Sequence, residues 1–133
     1  YEGASMREGG FDATDHELQC VEMDQDLCTT PEFPYNWMYD GSRPQMPGFE
    51  MEITCKSLFL IFKDSGEMDV GKADVFVNDV YCMTADPHKN NWLHCNAVLL
   101  FWETESRSHK VRIAVTEEDR NKKFTILGFG YTI

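Results

Sequence analysis

The chain has 133 residues, with 12 Lys and Arg, 23 Asp and Glu, and a formal net charge of −11 at pH 7. This length suits one domain that buries about two thirds of the surface of its unfolded chain. The acidic charge argues against nucleic-acid partners and anionic membranes, because both are bound through Lys and Arg. No apolar run approaches a transmembrane length and the first residue is Tyr1 rather than Met, so we expect an excised fragment or a mature domain.

The N-terminal part of the chain is predicted to be mostly irregular. Residues 1–17 are rich in Gly, Asp, Glu and Ser and should form an extended lead-in with at most one short strand. Residues 18–23 alternate weakly, a pattern compatible with an edge strand. In the aromatic stretch Phe33–Tyr39, Pro34 removes one ladder donor and also favours an edge. We therefore expect one domain over 1–133, in which 1–32 is the lead-in and edge strand.

The central part has the periodicity of β-strands. Phe49, Met51 and Ile53 alternate with polar residues, and the apolar run Leu58–Phe62 is long enough for a strand buried on both faces. Residues 73–78 again alternate with a period of two. Asn78-Asp79 should close them onto residues 80–83 as a hairpin, with Asp in place of the preferred Gly at the second turn position.

The C-terminal part continues in the same way, with an apolar run at 97–102, alternation at 111–115 and a final segment at 123–131. No window favours helical spacing. About eight strands at intervals of about ten residues, joined by Gly, Asn, Asp and Pro, predict an all-β protein with an antiparallel β-sandwich, most simply a jelly roll. The side chains expected between its two sheets are Val75, Val77, Val111, Ile113 and Ile126.

The sequence offers no recognisable catalytic or metal-binding pattern, and we expect no enzyme activity. Asp64-Ser65-Gly66 follows a strand but lacks the G-x-S-x-G elbow, and the four histidines, at 16, 88, 94 and 109, show no helical i, i+4 pair. The acidic clusters 24–26 and 117–119 are expected to be solvated turns, with a surface calcium site as the less favoured alternative. No other cofactor is expected.

The five cysteines, Cys20, Cys28, Cys55, Cys82 and Cys95, contain no C-x-x-C pair, which argues against a structural zinc site. They are either mostly buried thiols, the interpretation we favour, or one or two disulfides with one Cys left over. If disulfides form, Cys20–Cys28 and Cys82–Cys95 are the first pairs to test, because each closes a short loop.

The aromatic residues give a more specific signal. A sugar ring packs its C–H face on an indole, while its hydroxyls need amide or carboxylate partners nearby. Trp92 directly follows two asparagines in a polar loop, and meets both needs. The alternatives are a lid on the core for Trp92, a hydrophobic cap for Trp37, and a core position for Trp102 unless its face is open. The candidate binding residues are Trp92, Asn91, Trp37, Tyr39, Asn90 and Trp102.

Four segments carry a resemblance to a known family: Gly48–Ser65, Gly71–Asp79, Asn91-Trp92 and Phe124–Tyr131. Together they resemble the β-sandwich domain appended to SGNH/GDSL esterases and plant-cell-wall hydrolases of anaerobic clostridia, which is similar to carbohydrate-binding modules. The resemblance covers about residues 33–133, and residues 124–131 are its most specific part. In that family the loop position of Asn91-Trp92 usually reads Gly-Trp-Asn-Asn.

The resemblance implies a non-catalytic module that directs a linked hydrolase to plant cell-wall polysaccharide, such as β-glucan, xyloglucan or another hemicellulose. The expected partners are that polysaccharide and a linked catalytic domain, and we expect a monomer. It also implies an extracellular protein of an anaerobic bacterium, secreted or cellulosome-associated. The alternative is a structural accessory domain that packs on an SGNH-type esterase and binds no sugar.

Overall fold

The computed structural model describes residues 1–17, 33–89 and 94–133, and its regular structure is almost entirely β. Its one helical element in these ranges is a short 3₁₀ helix, Glu117–Asp119. None of the described residues forms a helix of the length and apolarity that a membrane span requires. The strands are β1 (Ala4–Arg7), β2 (Trp37–Tyr39), β3 (Phe49–Asp64), β4 (Ala73–Val77), β5 (Val80–Ala85), β6 (His94–Val115) and β7 (Phe124–Thr132).

All strand pairs are antiparallel, which confirms the predicted fold class. The hydrogen-bonded order is β2-β7-β3-β6-β4-β5, and β1 also pairs with β3. The predicted hairpin joins β4 to β5. Its turn residues Asn78 and Asp79 both have positive φ, 52° and 66°, as a type I′ turn requires. The edge strand expected at 18–23 lies outside the described residues.

The sheet folds over into two layers because β3 and β6 each contribute to both. The first half of β3 pairs with β1 and its second half with β7, and its pairing with β6 shifts register twice between Cys55 and Phe59. The Phe49 ring lies 5.7 Å from that of Phe129, which is the cross-strand partner of Leu60. Leu60 would lie about 36 Å from Phe49 along a straight strand. The strand must therefore bend at the bulges, as bulged strands do.

The first layer thus consists of β1, the first half of β3, the second half of β6, β4 and β5. The second layer consists of β2, β7, the second half of β3 and the first half of β6. Of the predicted core residues, Val75, Val111, Ile113 and Ile126 are fully buried, whereas Val77 is half-buried beside the hairpin turn.

The lead-in is anchored to this core by one ring and one buried ion pair. Phe11 is fully buried, and its ring lies 5.6 Å from that of Tyr39. Asp15 Oδ2 accepts hydrogen bonds from Lys63 Nζ at 3.0 Å and from Thr125 Oγ1 at 2.7 Å. Residues 1–17 therefore belong to the packed structure.

The described cysteines are free thiols, so the suggested Cys82–Cys95 pairing is wrong. Cys82 packs against the core, and its Sγ donates to the carbonyl of Leu100 at 3.7 Å. Cys95 is exposed on the outer side of the second layer. Cys55 is buried, in keeping with the favoured interpretation, and Cys20–Cys28 lies outside the described residues.

Candidate functional site

Of the sequence-predicted site residues, Tyr39 belongs to the core and Trp37 packs against it. Tyr39 is 3% exposed, and its hydroxyl donates to the backbone carbonyl of Arg120. Burial raises the pKa of this hydroxyl. Trp37 is half-buried, with its ring 5.6 Å from that of Phe49 and 6.2 Å from that of Phe129. Tyr39 is therefore closed to a ligand, whereas Trp37 keeps part of its surface exposed and stays a prediction from the sequence.

Three other candidates, Asn90, Asn91 and Trp92, lie outside the described residues. They precede β6 in the chain, and they stay a prediction from the sequence.

Trp102 lies on the open side of the second layer, and its side chain is 80% exposed. Alternation alone would place it on the same face as Val98 and Leu100. However, Phe101 pairs with Leu58 and Leu99 pairs with Phe59, so Leu100 is an extra residue in β6. This bulge inverts the phase of the strand. The Trp102 indole therefore points to solvent.

The surroundings of Trp102 form an exposed, largely apolar surface, which we call the Trp102 face: Trp102, Leu99, Phe59, Gly128 and Gly130. Leu99 is 49% exposed and Phe59 is 40% exposed. A Cβ built on Gly128 would meet no atom within 4 Å, and one on Gly130 would meet only the Phe59 side chain, at 3.7 Å. Because the two glycines add no side chains, the rings of Trp102 and Phe59 stand beside open sheet.

Two hydroxyls border the Trp102 face. Ser57 is the cross-strand partner of both Trp102 and Thr132. Its Oγ lies 2.7 Å from Thr132 Oγ1, so the two hydroxyls share a hydrogen bond in which either can donate. The face therefore offers ring surfaces with a hydrogen-bonding group at one end.

Phe59, Ser57 and Thr132 were not predicted from the sequence. Leu58–Phe62 was expected to be buried on both faces, but in the structure only Leu58, Leu60 and Phe62 are fully buried. The sequence contains a weak indication that Phe59 is exposed, because the positions that alternate with the buried ones, 57, 59, 61 and 63, begin with Ser57 and end with Lys63. The apolar residues at 59 and 61 concealed it.

Three of the groups considered for catalysis make hydrogen bonds or ion pairs within the fold. Ser65 is 3% exposed, and its hydroxyl oxygen accepts a hydrogen bond from the backbone N–H of Glu67. His88 Nε2 lies 2.7 Å from the carbonyl of Val70, and buried His109 pairs with Glu103. Within residues 1–17, 33–89 and 94–133, no three His, Cys, Asp or Glu side chains converge as metal ligands would.

No protein-family model matches the sequence, and no curated protein matches it either. Among solved structures, the fold is similar to part of a two-domain esterase (CEX) active on acetylated mannans, co-crystallised with mannopentaose. The TM-score is 0.62 at 14% identity, over 100% of this chain and 35% of that one. A second structure of a two-domain esterase (CEX) active on acetylated mannans gives a TM-score of 0.58 at 17% identity, over 99% of this chain and 34% of that one.

The chain therefore spans about a third of the length of these esterases. A family 35 carbohydrate binding module from an environmental isolate aligns over 65% of this chain and 66% of its own, at 17% identity and a TM-score of 0.45, which is too low to carry an argument. At such identities the two esterase structures show a shared fold.

Proposed function

We propose that this chain is a non-catalytic carbohydrate-binding module that directs a linked hydrolase to plant cell-wall polysaccharide. The observation that carries the proposal is the indole of Trp102, 80% exposed on the same open sheet face as the ring of Phe59. The similarity of the fold to about a third of a two-domain esterase supports the presence of a linked catalytic domain.

A neutral polysaccharide offers no charge, so its affinity must come from C–H faces stacked on rings and from hydrogen bonds to its hydroxyls. Trp102 and Phe59 supply the rings, and the exposed Thr132 supplies a hydroxyl at the edge, held by its hydrogen bond to buried Ser57. Because Gly128 leaves open space beside them, the geometry suits a platform rather than a cleft.

An extended β-glucan, xyloglucan or other hemicellulose chain has flat faces that fit such a platform. We retain Asn90, Asn91 and Trp92 as proposed contributors, on the chemistry of an indole beside amides. In this proposal the module belongs to a longer extracellular enzyme, and it contributes targeting and no hydrolysis.

The second candidate function is a structural accessory domain that packs on an esterase domain. The observation that favours it is the aliphatic content of the Trp102 face, where Leu99 is 49% exposed and Ala97 is also exposed. Contiguous exposed apolar surface often marks a protein interface. A protein partner would need this surface but would not need the bordering hydroxyls.

Retention by polysaccharides separates the two candidates. Affinity gel electrophoresis of the isolated chain against β-glucan, xyloglucan and mannan should show retardation by at least one of them. Stacking on a ring is worth about 1–3 kcal/mol in a comparable system, so Trp102→Ala should weaken retention about tenfold or more. Its melting temperature should change little, because the side chain is exposed.

The matched control is Met68→Ala, which truncates an apolar side chain that is 86% exposed in the loop between β3 and β4. This variant should be retarded like the unaltered chain. If no polysaccharide retards the chain, the proposed function is wrong and the accessory-domain function takes its place. If polysaccharide retards Trp102→Ala as strongly as the unaltered chain, the Trp102 face is not the binding surface.

A further inference from the structure

We infer that the opposite face of the sandwich is a second glycan-binding surface, which takes a soluble chain of neutral sugars across the strands of the first layer. This inference rests on the proposed function in its class of ligand. It uses none of the residues of the Trp102 face, and the two surfaces lie on the outer sides of different layers.

The surface is built on one row of side chains that crosses five strands. Consecutive Cα partners run from β1 through β3, β6 and β4 to β5, and we call them the transverse row: Arg7, Glu50, Arg112, Phe76 and Tyr81. Neighbouring strands lie about 4.8 Å apart, so the row is about 19 Å long. An oligosaccharide lying along it would contact all five strands.

Tyr81 provides an exposed ring at one end of the row. Phe76 pairs with Tyr81 while Val75 pairs with Met83, so the residue between them in β5 forms a bulge. The bulge brings Tyr81 and Thr84 to the same face. The Tyr81 hydroxyl lies 2.7 Å from Thr84 Oγ1, which donates to Asp74 Oδ1 at 2.7 Å.

This relay fixes the Tyr81 ring, which is 58% exposed and lies edge-on to Phe76 with centroids 6.1 Å apart. A ring that is already ordered loses little conformational entropy when a ligand stacks on it. The open ring face is thus prepared for a sugar.

Arg112 lies in the middle of the row, where its guanidinium contacts an aromatic ring. Its guanidinium carbon lies 4.2 Å from the centroid of the Phe76 ring, a cation–π contact that restrains the group. In residues 1–17, 33–89 and 94–133, no group accepts a hydrogen bond from this guanidinium. Its planar array of N–H donors is therefore oriented and available.

Glu50, the cross-strand partner of Arg112, accepts a hydrogen bond from Arg7 at the other end of the row. Along the row, a hydrogen-bond donor (Arg7) is followed by an acceptor (Glu50), a second donor (Arg112) and the two rings of Phe76 and Tyr81. Sugar hydroxyls both donate and accept, so neighbouring hydroxyls can bridge Arg112 and Glu50 while a ring stacks on Tyr81.

A cavity of about 350 Å³ adjoins the Arg7 end of the row, and its lining includes Ser5, Met6, Arg7, Glu50, Glu52 and Lys110. The cations among these residues are matched by carboxylates. A uronate would meet Glu50 and Glu52, whereas a neutral sugar could use both kinds of group. The balance of charge therefore favours a neutral ligand.

The test is calorimetric titration of the chain with cellopentaose, xylopentaose and mannopentaose. At least one should bind, and Tyr81→Ala should weaken that binding about tenfold. Tyr81→Phe keeps the ring and should stay within about twofold, while Arg112→Lys keeps the charge but loses the flat donor array and should weaken binding about fivefold. Met68→Ala should titrate like the unaltered chain.

The second surface is overturned if none of the three sugars binds, or if Tyr81→Ala and Arg112→Lys both titrate like the unaltered chain. It is also overturned if Tyr81→Phe loses as much affinity as Tyr81→Ala. Loss of binding in Trp102→Ala alone would overturn the second surface and leave the proposed function intact. Loss of polysaccharide retention in Tyr81→Ala alone would support the second surface and show that the Trp102 face does not bind the polysaccharide.

Discussion

Replacing Asp15 with alanine should destabilise the domain by about 3–5 kcal/mol, the usual cost of removing one partner of a buried ion pair. The side chains of Asp15 and Lys63 are each 8% exposed. Asp15 also accepts hydrogen bonds from the Thr125 hydroxyl and the backbone N–H of Glu17. Without the carboxylate, the ammonium group of Lys63 stays buried with no opposite charge beside it.

The same carboxylate should make stability depend on pH. Burial by itself raises the pKa of Asp15, but hydrogen bonds from Thr125, Glu17 and Lys63 outweigh it, so the pKa lies below its ordinary value. Such a group stabilises the fold above the ordinary Asp pKa of about 4, and this contribution is lost as the pH falls through the lowered pKa. Asp15→Asn should therefore lose less stability between neutral and acid pH than the unaltered chain.

Urea and thermal unfolding measure both effects. For a chain of this size, 3–5 kcal/mol corresponds to a fall of about 10–18 °C in melting temperature. The double variant Asp15→Ala/Lys63→Met removes the unpaired charge as well, and should recover a large part of the loss. A cost of less than about 1 kcal/mol for Asp15→Ala, or a double variant no more stable than the single one, would contradict the proposed role of the buried ion pair.

Two further predictions concern a thiol and a glycine. Cys95 should react with a maleimide in the folded protein. Cys55 should react only after unfolding, because burial shields its thiol and raises the pKa of that thiol. Mass spectrometry before and after denaturation checks this, and a Cys95 that does not react in the folded protein would contradict it. Gly48→Ala should destabilise by about 2 kcal/mol or more, since its φ is 108° and a Cβ would lie 2.7 Å from the Ile113 carbonyl oxygen. Gly128→Ala, built into open space, is its control in urea unfolding, and equal losses in both variants would show the strain argument to be wrong.

The strand content and much of the core could be predicted because residues that alternate as apolar in the sequence are the ones that the sheets bury. Val75, Val111 and Ile113 alternate in the sequence and are fully buried in the structure. The Asn78-Asp79 turn was predictable as well, since both residue types tolerate the positive φ that a two-residue hairpin turn needs.

What could not be predicted depends on bulges. An extra residue at Leu100 reverses the face of Trp102, and another at Cys82 turns Tyr81 and Thr84 to one side. No residue type marks either bulge, so the phase of the side chains beyond each one cannot be counted from the sequence. The disulfide suggested for Cys82 failed for the same reason, because the bulge directs its thiol towards the core.

The buried ion pair could not be predicted from the sequence either. Lys63 follows the apolar run, and in the sequence it looks the same as an exposed lysine at the end of a strand. Its partner Asp15 comes from a polar lead-in that no periodicity connects to β3. Only the folded chain brings them together.

The sharing of β3 and β6 between the layers has a consequence for how the chain folds. The two strands pair from Phe49 with Ile113 down to Asp64 with His94, so the whole β4–β5 hairpin lies within the loop that this pairing closes. Contacts so distant along the chain form slowly, on a timescale of about milliseconds to seconds. Each layer contains half of β3 and half of β6, so the strands of neither layer are all paired until β3 and β6 pair. The domain should therefore fold and unfold as one cooperative unit.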